Sequence, residues 1–323
     1  MSQNRWSILC LCSQFKWEEG LRPLTTAEFR NLSALLKQWG KSVGDLFQTS
    51  FHELCSMGVP QERALRILAL LDRLPVIETL VGSYSSMGIH ALTTEEPTYF
   101  PTLKATLGGN SPPVLCCVGN HSLAEKPVVG IVGARAISPT DGEFTRRVAG
   151  KIIAQGYGVV SGGADGTDSI GEEEALRQGG YVVEFPAVPL LRRMKKESLS
   201  EALREGRLLI ATPVAPNSGF SAGLATSRNR MIYAHSQATV VIRATACKGG
   251  TWSGATDALK RSLCPLLCWD QPYEGNQNLL QNGALPIEEN WDGSLPYNGQ
   301  KPLPPEFGEK DLPDQCSLFR YLP

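Results

Sequence analysis

Residues 128–168 read VVGIVGARAISPTDGEFTRRVAGKIIAQGYGVVSGGADGTD and carry the same design twice. Each time a short β-branched apolar run, 128–132 and then 157–160, ends in glycines and small polar residues before an amphipathic stretch begins. The pattern predicts strand, glycine turn and helix, repeated, which is the unit of a parallel sheet with crossover helices. The first amides of a helix lack internal partners and carry the positive end of its dipole, so such a turn suits an anion. Glycine lets the backbone approach that anion closely. In the first turn Gly130 and Gly133 precede Arg135 and Ser138, a cation and a hydroxyl where a phosphate would sit. In the second, Ser161, Gly162, Gly163 and Gly166 precede a helix cap at Thr167 or Asp168. Neither turn has the G-x-G-x-x-G dinucleotide spacing, and no G-x-x-x-x-G-K-[ST] loop occurs. The plainer alternative is that the glycines only make tight turns.

Outward from this stretch the alternation continues. Strands are expected at 128–132, 157–160, 181–185, 207–211, 238–242 and 264–268, with helices at about 141–155, 168–178, 196–205, 227–235 and 253–261. The fold class is therefore α/β, a Rossmann-like, doubly wound, mainly parallel sheet covered on both faces, with its ligands at the carboxyl ends of the strands. Ser227-Arg228-Asn229-Arg230 is expected to open a helix after the small-residue loop 213–226. Two arginines at a helix N-terminus oppose the dipole, which a bound polyanion would relieve; an arginine–carboxylate pair is the alternative. A third glycine turn, Lys248-Gly249-Gly250-Thr251-Trp252, adds a cation and an indole that either stacks on a nucleotide or lies in the core. Asp165, Asp168 and Asp257 are the carboxylates expected near the site, and a cap suits Asp168 better than acid–base work. No enzyme activity is expected. The basic run Arg192-Arg193-Met194-Lys195-Lys196 is either a solvated face or a track for a polyanion.

GIVGAR, then VVSGGADGTD, then SRNRMI at 227–232 resemble the DNA processing protein A family (DprA, also called Smf), in which GxVGSR, VSGGAxGxD and RNRxI recur in this order. The resemblance covers about residues 20 to 285. It implies a domain that binds single-stranded DNA, protects incoming DNA and helps load a RecA-type recombinase during transformation. Phosphates are then expected at Gly133, Arg135, Ser138, Ser161, Gly162, Gly163, Gly166, Arg228, Arg230, Lys248, Gly249 and Gly250, with Asn229 orienting its loop. The resemblance also implies a homodimer paired through the later part of the sheet, for which 264–268 and 276–285 are the candidates. The third turn departs from the family's SGxLxTA by inserting KGGTW. That turn also resembles the PGGxGTxxE motif of LOG-type nucleotide phosphoribohydrolases, but no glutamate follows Gly249-Gly250, and only Asp257 could substitute. A nucleotide-binding or nucleotide-cleaving LOG-like protein is the alternative function.

The whole chain has 323 residues, 42% apolar and 20% charged, enough for about two domains of an ordinary globular protein. A formal net charge of −1 excludes a uniformly basic coat, so a nucleic-acid site must be a local patch. The nine cysteines form no C-x-x-C pair and the histidines number four, which argues against zinc and for reduced, buried thiols. No cofactor is expected. No apolar run approaches a membrane span, and a cytoplasmic protein without membrane contact is expected. Residues 1–86 show helical periodicity, as in Phe29, Leu32, Leu35 and Leu36, with Thr25 or Thr26 as cap. This N-terminal helical domain resembles the SAM-like or helix-hairpin-helix-like module of DprA proteins, and a structural or assembly role is expected. Residues 87–285 form the Rossmann-like domain, opening with a bridge over 87–127 that holds a short strand at 88–93 and another over 112–120. His121 is a lone loop histidine.

Residues 286–323 hold seven prolines and seven acidic against three basic residues, and are expected to be a disordered tail. The tail is too short and proline-rich for the winged helix that many DprA proteins carry. Within it Gln315-Cys316-Ser317-Leu318-Phe319 resembles the QLSLF-type motif that binds the DNA sliding clamp, with Gln315, Leu318 and Phe319 as the contacts.

Overall fold

Strand β3 (Val128–Val132) is buried at every position, as a β-branched run covered on both faces should be. The structure, a computed structural model, describes residues 2–15, 20–219 and 221–296. Its described residues divide into two compact units, one within 1–125, 188–203 and 209–219, the other within 126–187, 204–208 and 221–296.

The first unit begins with α1 (Gln3–Cys12), whose segment from Ser7 to Cys12 is buried all round. Around it lie α2 (Thr26–Gln38), α3 (Phe51–Ser56), α4 (Gln61–Leu71) and α5 (Leu74–Ser86). Thr25 caps α2 in a reciprocal box with Glu28, and Arg66 of α4 donates to Glu28 at 2.7 Å, tying the two helices. Strand β1 (Ile89–Thr93), α6 (Pro101–Leu107) and β2 (Val114–Gly119) follow, and later α9 (Leu190–Arg193) and α10 (Glu197–Arg204). In the basic run Arg193 is buried whereas Arg192, Lys195 and Lys196 are exposed. Strand β6 (Leu208–Thr212) pairs antiparallel with β2, and β2 with β1. Strand β6 thus has an antiparallel partner in β2, which the reading of 207–211 as a strand of a mainly parallel sheet had not paired with it. An apolar strand does not itself encode the direction of its partner. His121 packs edge-on against His90, with ring centres 5.0 Å apart.

The second unit is a parallel sheet in the order β5-β4-β3-β7-β8-β9, made of β3, β4 (Gly158–Ser161), β5 (Val182–Glu184), β7 (Thr239–Val241), β8 (Leu266–Trp269) and β9 (Leu285–Ile287). Its helices are α7 (Pro139–Ala154), α8 (Thr167–Arg177), α11 (Ala222–His235), α12 (Gly249–Arg261) and α13 (Glu274–Gln281). From β3 the chain winds one way through β4 and β5 and the other way through β7, β8 and β9. The switch lies between β3 and β7, and their carboxyl ends open the crevice where ligands of such sheets bind. β3 and β7 meet closely there, because a Cβ on Gly130 would lie 2.5 Å from the Thr239 hydroxyl. Strand β8 is buried and paired on both sides, so 264–268 is excluded as a surface for pairing two copies. Pro286 and Ile287 lie in β9, and Glu289 pairs with Arg147 of α7. The motif at 315–319, with Gln315, Leu318 and Phe319, lies outside the described residues.

Among the described residues seven cysteines are free thiols, six of them buried. Among the described residues no helix is long and apolar enough to cross a membrane, and no three His, Cys, Asp or Glu side chains gather to hold a metal.

Candidate nucleic-acid interface

At the switch point lies a cavity of about 730 Å³, within the range of small-molecule sites. Its walls are the first glycine turn from Gly133 to Ala136, the inner face of α11, the residues after β7 including Arg243 and Thr245, and the start of α12. Four cations line it, Arg135, Arg228, Arg243 and Lys248, against one carboxylate, Asp168. The chain as a whole carries −1, so this lining is more basic than the chain average.

The first turn is shaped by contact with α8. A Cβ on Gly133 would lie 2.3 Å from the Thr167 hydroxyl, and one on Gly166 would lie 2.2 Å from the Arg135 carbonyl oxygen. Gly166 also has φ +85° and is the N-cap of α8 without a side-chain cap, so it needs a residue free of the Cβ penalty. Thr167 is not the cap; its hydroxyl donates to the Ala134 carbonyl at 3.1 Å. Arg135 is exposed and makes no ion pair among the described residues. Ser138 is occupied otherwise than expected. Its hydroxyl accepts from the Asp141 amide at 3.2 Å while the Asp141 carboxylate accepts from the Ser138 amide at 2.8 Å, which closes the cap of α7.

The second turn is filled from within. The Gly163 amide donates to the Glu172 carboxylate at 3.0 Å. The amides of Ala164 and Gly162 donate to Asp168, the former at 3.4 Å. The phosphate cradle expected of Gly162 and Gly163 is thus taken by side chains of α8. Glycine is required at 162 for another reason, because a Cβ there would lie 1.0 Å from Nη1 of Arg228. Arg228, 7% exposed, lies over this glycine with Nη1 3.6 Å from Asp168 Oδ2. Burial raises the Asp168 carboxyl above the ordinary carboxylate pKa, opposed by Arg228 and the two amides. Asp168 therefore anchors Arg228 and does not cap the helix. Ser161 is fully buried at the end of β4, and its hydroxyl has no hydrogen-bond partner among the described residues. A buried seryl group behind the turn cannot contact a ligand in this conformation.

Helix α11 starts at Ala222, capped by Ser221, five residues before the expected start. Arg228 and Arg230 therefore sit inside the helix, away from the positive end of its dipole. They also diverge. Arg228 points to the cavity, whereas Arg230 pairs with Asp257, Nε to Oδ2 at 2.9 Å, and Arg261 reaches the same carboxylate at 2.6 Å. Arg230 is the arginine–carboxylate case, and neither it nor Asp257 lines the cavity. Asn229 donates to the Gly250 carbonyl at 2.9 Å and so fixes α11 against the start of α12. The Thr251 hydroxyl donates to the Gly133 carbonyl at 2.8 Å, joining α12 to the first turn.

The start of α12 is the open anion position. Lys248 occupies the N-cap with no side-chain cap bond, and Gly249 has φ +79°. Lys248, Gly249 and Gly250 are exposed at the cavity wall. Trp252 is 6% exposed and belongs to the core. Two lining residues escaped the sequence reading. Tyr233 is buried with its hydroxyl unpartnered among the described residues, and Arg243 stands just past β7. Neither lies in a glycine turn, the signal on which the reading relied.

Residues 90–293 match the family model described as DNA recombination-mediator protein A. Protein Smf of Synechocystis sp. is 30% identical over 203 residues, covering 60% of this chain and 50% of that protein, so the chain spans about half the length of this relative. The X-ray structure of DNA processing protein A from Streptococcus pneumoniae superposes with a TM-score of 0.65, 16% identical, over 89% of this chain and 95% of that one. At that identity the likeness is one of fold, which is the Rossmann-like fold. A structure of the Helicobacter pylori protein, concerned with its single-stranded DNA binding mode, gives a TM-score of 0.51 and 27% identity over 62% of this chain and 90% of that one.

Proposed function

We infer the function from one premise: the chain belongs to the DNA recombination-mediator protein A family. It binds single-stranded DNA at the switch-point cavity, protects incoming DNA and assists a RecA-type recombinase in the cytoplasm. The observation that carries this reading is the set of four lining cations against one carboxylate that is already anchored. Arg135 and Lys248 are exposed at the rim, where they reach a strand that continues past the cavity. The Helicobacter relative, a structure concerned with single-stranded DNA binding, supports the same ligand.

The DNA is held and not cut. Carboxylates and imidazoles are the commonest groups that move a proton in hydrolysis, and both carboxylates near the site are engaged. Asp168 is buried against Arg228 and two amides, and Asp257 is bound by Arg230 and Arg261 away from the cavity. The cavity volume also suits a single nucleotide, so the deciding experiment compares the two ligands. Oligo-dT and a panel of nucleotides are titrated at two salt concentrations. Oligo-dT binding with a strong salt dependence is expected. Binding of mononucleotides alone, or their cleavage, would favour the LOG-like alternative.

Two partners are proposed, a second copy from the family reading and the sliding clamp from the likeness of residues 315–319 to a QLSLF-type motif. The protein pairs with a second copy through the margin of the sheet at β9, where Leu285 is 44% exposed; light scattering that shows only a 35.1 kDa species at micromolar concentration would contradict this. The motif at Gln315, Leu318 and Phe319 docks on the sliding clamp.

A further inference from the structure

Arg243 stands at the cavity wall just after β7, and its guanidinium is held from behind. One nitrogen, Nη1, donates to Asp141 Oδ2 at 3.1 Å, and the group lies 4.6 Å from the centre of the Tyr273 ring. The Tyr273 hydroxyl donates to the other Asp141 oxygen at 2.8 Å. Asp141 is fully buried. Burial alone would raise its pKa, but the Ser138 amide, Tyr273 and Arg243 together hold it below the ordinary carboxylate value. It stays ionised and stays put.

A guanidinium carries five donors in a planar fork. Arg243 gives one of them to Asp141 and gives none of the others to any described residue. Its side chain is 36% exposed and lines the cavity together with Lys248 and the start of α12. A purely structural arginine facing a carboxylate would be expected to engage it with both arms. Here the fork is fixed in orientation by Asp141 and Tyr273 with most of its donors unused. That is the geometry for bidentate recognition of a phosphodiester, with the side-chain ordering already met before binding.

Resting on the strand-binding reading above, we propose that Arg243 binds a backbone phosphate of the strand in this cavity, and that Asp141 and Tyr273 are the residues that position it. The test is fluorescence anisotropy of labelled oligo-dT over a salt series, with wild type, Arg243→Gln, Arg243→Lys and Tyr273→Phe, and Arg135→Gln as the reference for a phosphate contact. Loss of a charged hydrogen-bonding partner should weaken binding about tenfold in Arg243→Gln, and the salt slope should fall by about 0.7. Arg243→Lys keeps a cation beside Asp141, so the slope holds while affinity drops about threefold with loss of the fork. Tyr273→Phe should also keep the slope and lose about threefold, because only orientation is disturbed. If Arg135→Gln lowers the slope and Arg243→Gln does not, Arg243 is structural and this inference is overturned, while the strand-binding reading stands. If wild type fails to bind oligo-dT, or neither arginine variant moves the slope, the strand-binding reading falls and this one with it. Should Arg243→Gln fail to fold, unchanged affinity in both Arg243→Lys and Tyr273→Phe would be the overturning result.

Discussion

Gly162→Ala isolates the buried pair under the cavity. The added methyl would sit 1.0 Å from Nη1 of Arg228 and 2.2 Å from Cζ. The guanidinium must leave, and Asp168 loses the cation 3.6 Å away. Removing one partner of a buried pair costs about 3–5 kcal/mol. The separation and the retained amide bonds put this pair at the lower end. The φ of Gly162 is not positive, so alanine brings no backbone strain and returns about 0.4–1 kcal/mol through the unfolded chain. A net loss of about 2–3 kcal/mol at neutral pH is expected from these two opposing effects. The loss should depend on pH. Asp168 already titrates above the ordinary value because it is buried, and without Arg228 it rises further. A carboxylate with a raised folded pKa binds its proton more tightly in the native state, so stability falls as pH rises from the unfolded value through the folded one. The deficit should be small at about pH 4 and complete by neutral pH. Urea unfolding of variant and wild type at a series of pH values measures it. A deficit independent of pH, or no deficit, would refute the placement of Arg228 over Gly162.

Three further outcomes are expected. Replacing Arg135 and Lys248 together by Gln should lower the oligo-dT salt slope by about 1.4, or 0.7 for each phosphate contact, with the melting curve unchanged; an unchanged slope would remove the rim from the interface. Asp257→Ala breaks two partly exposed pairs and should cost about 1 kcal/mol after screening without weakening oligo-dT binding; weaker binding would bring Arg230 back into the site. A peptide of residues 311–323 should bind the sliding clamp with a Kd of about 1 μM, and Leu318→Ala with Phe319→Ala should abolish it; no binding at about 100 μM gives the tail another purpose.

The parallel core was legible because β3, β4 and β7 are buried on both faces and read as unbroken β-branched runs. Helix α11 was misplaced because Ala222, Gly223, Leu224, Ala225 and Thr226 show no apolar period, and the helix is set by its packing on α12. The glycines of the second turn were recognised, but not what they approach. That Gly162 faces an arginine 66 residues later in the chain is a tertiary fact, and a sequence shows only that a side chain is missing. Arg243 carried no local signal, since its meaning depends on Asp141 and Tyr273. Arg230 looked equal to Arg228 two residues away, and the helical repeat sent the two to different faces.

Glu172 and Asp168 lie on the same chain as the amides they occupy. They act as tethered competitors whose effective concentration reaches the millimolar range or above. A loose phosphate or carboxylate from solution meets that competition with a single anionic group and no other attachment. A polymer arrives with its neighbouring phosphates already engaged at the rim, and so presents its own high local concentration. The filled turn thus sets a threshold at its own amides alone: an anion from outside must displace Glu172 or Asp168 to reach them, whereas the rim at Arg135 and the start of α12 is open without displacing anything.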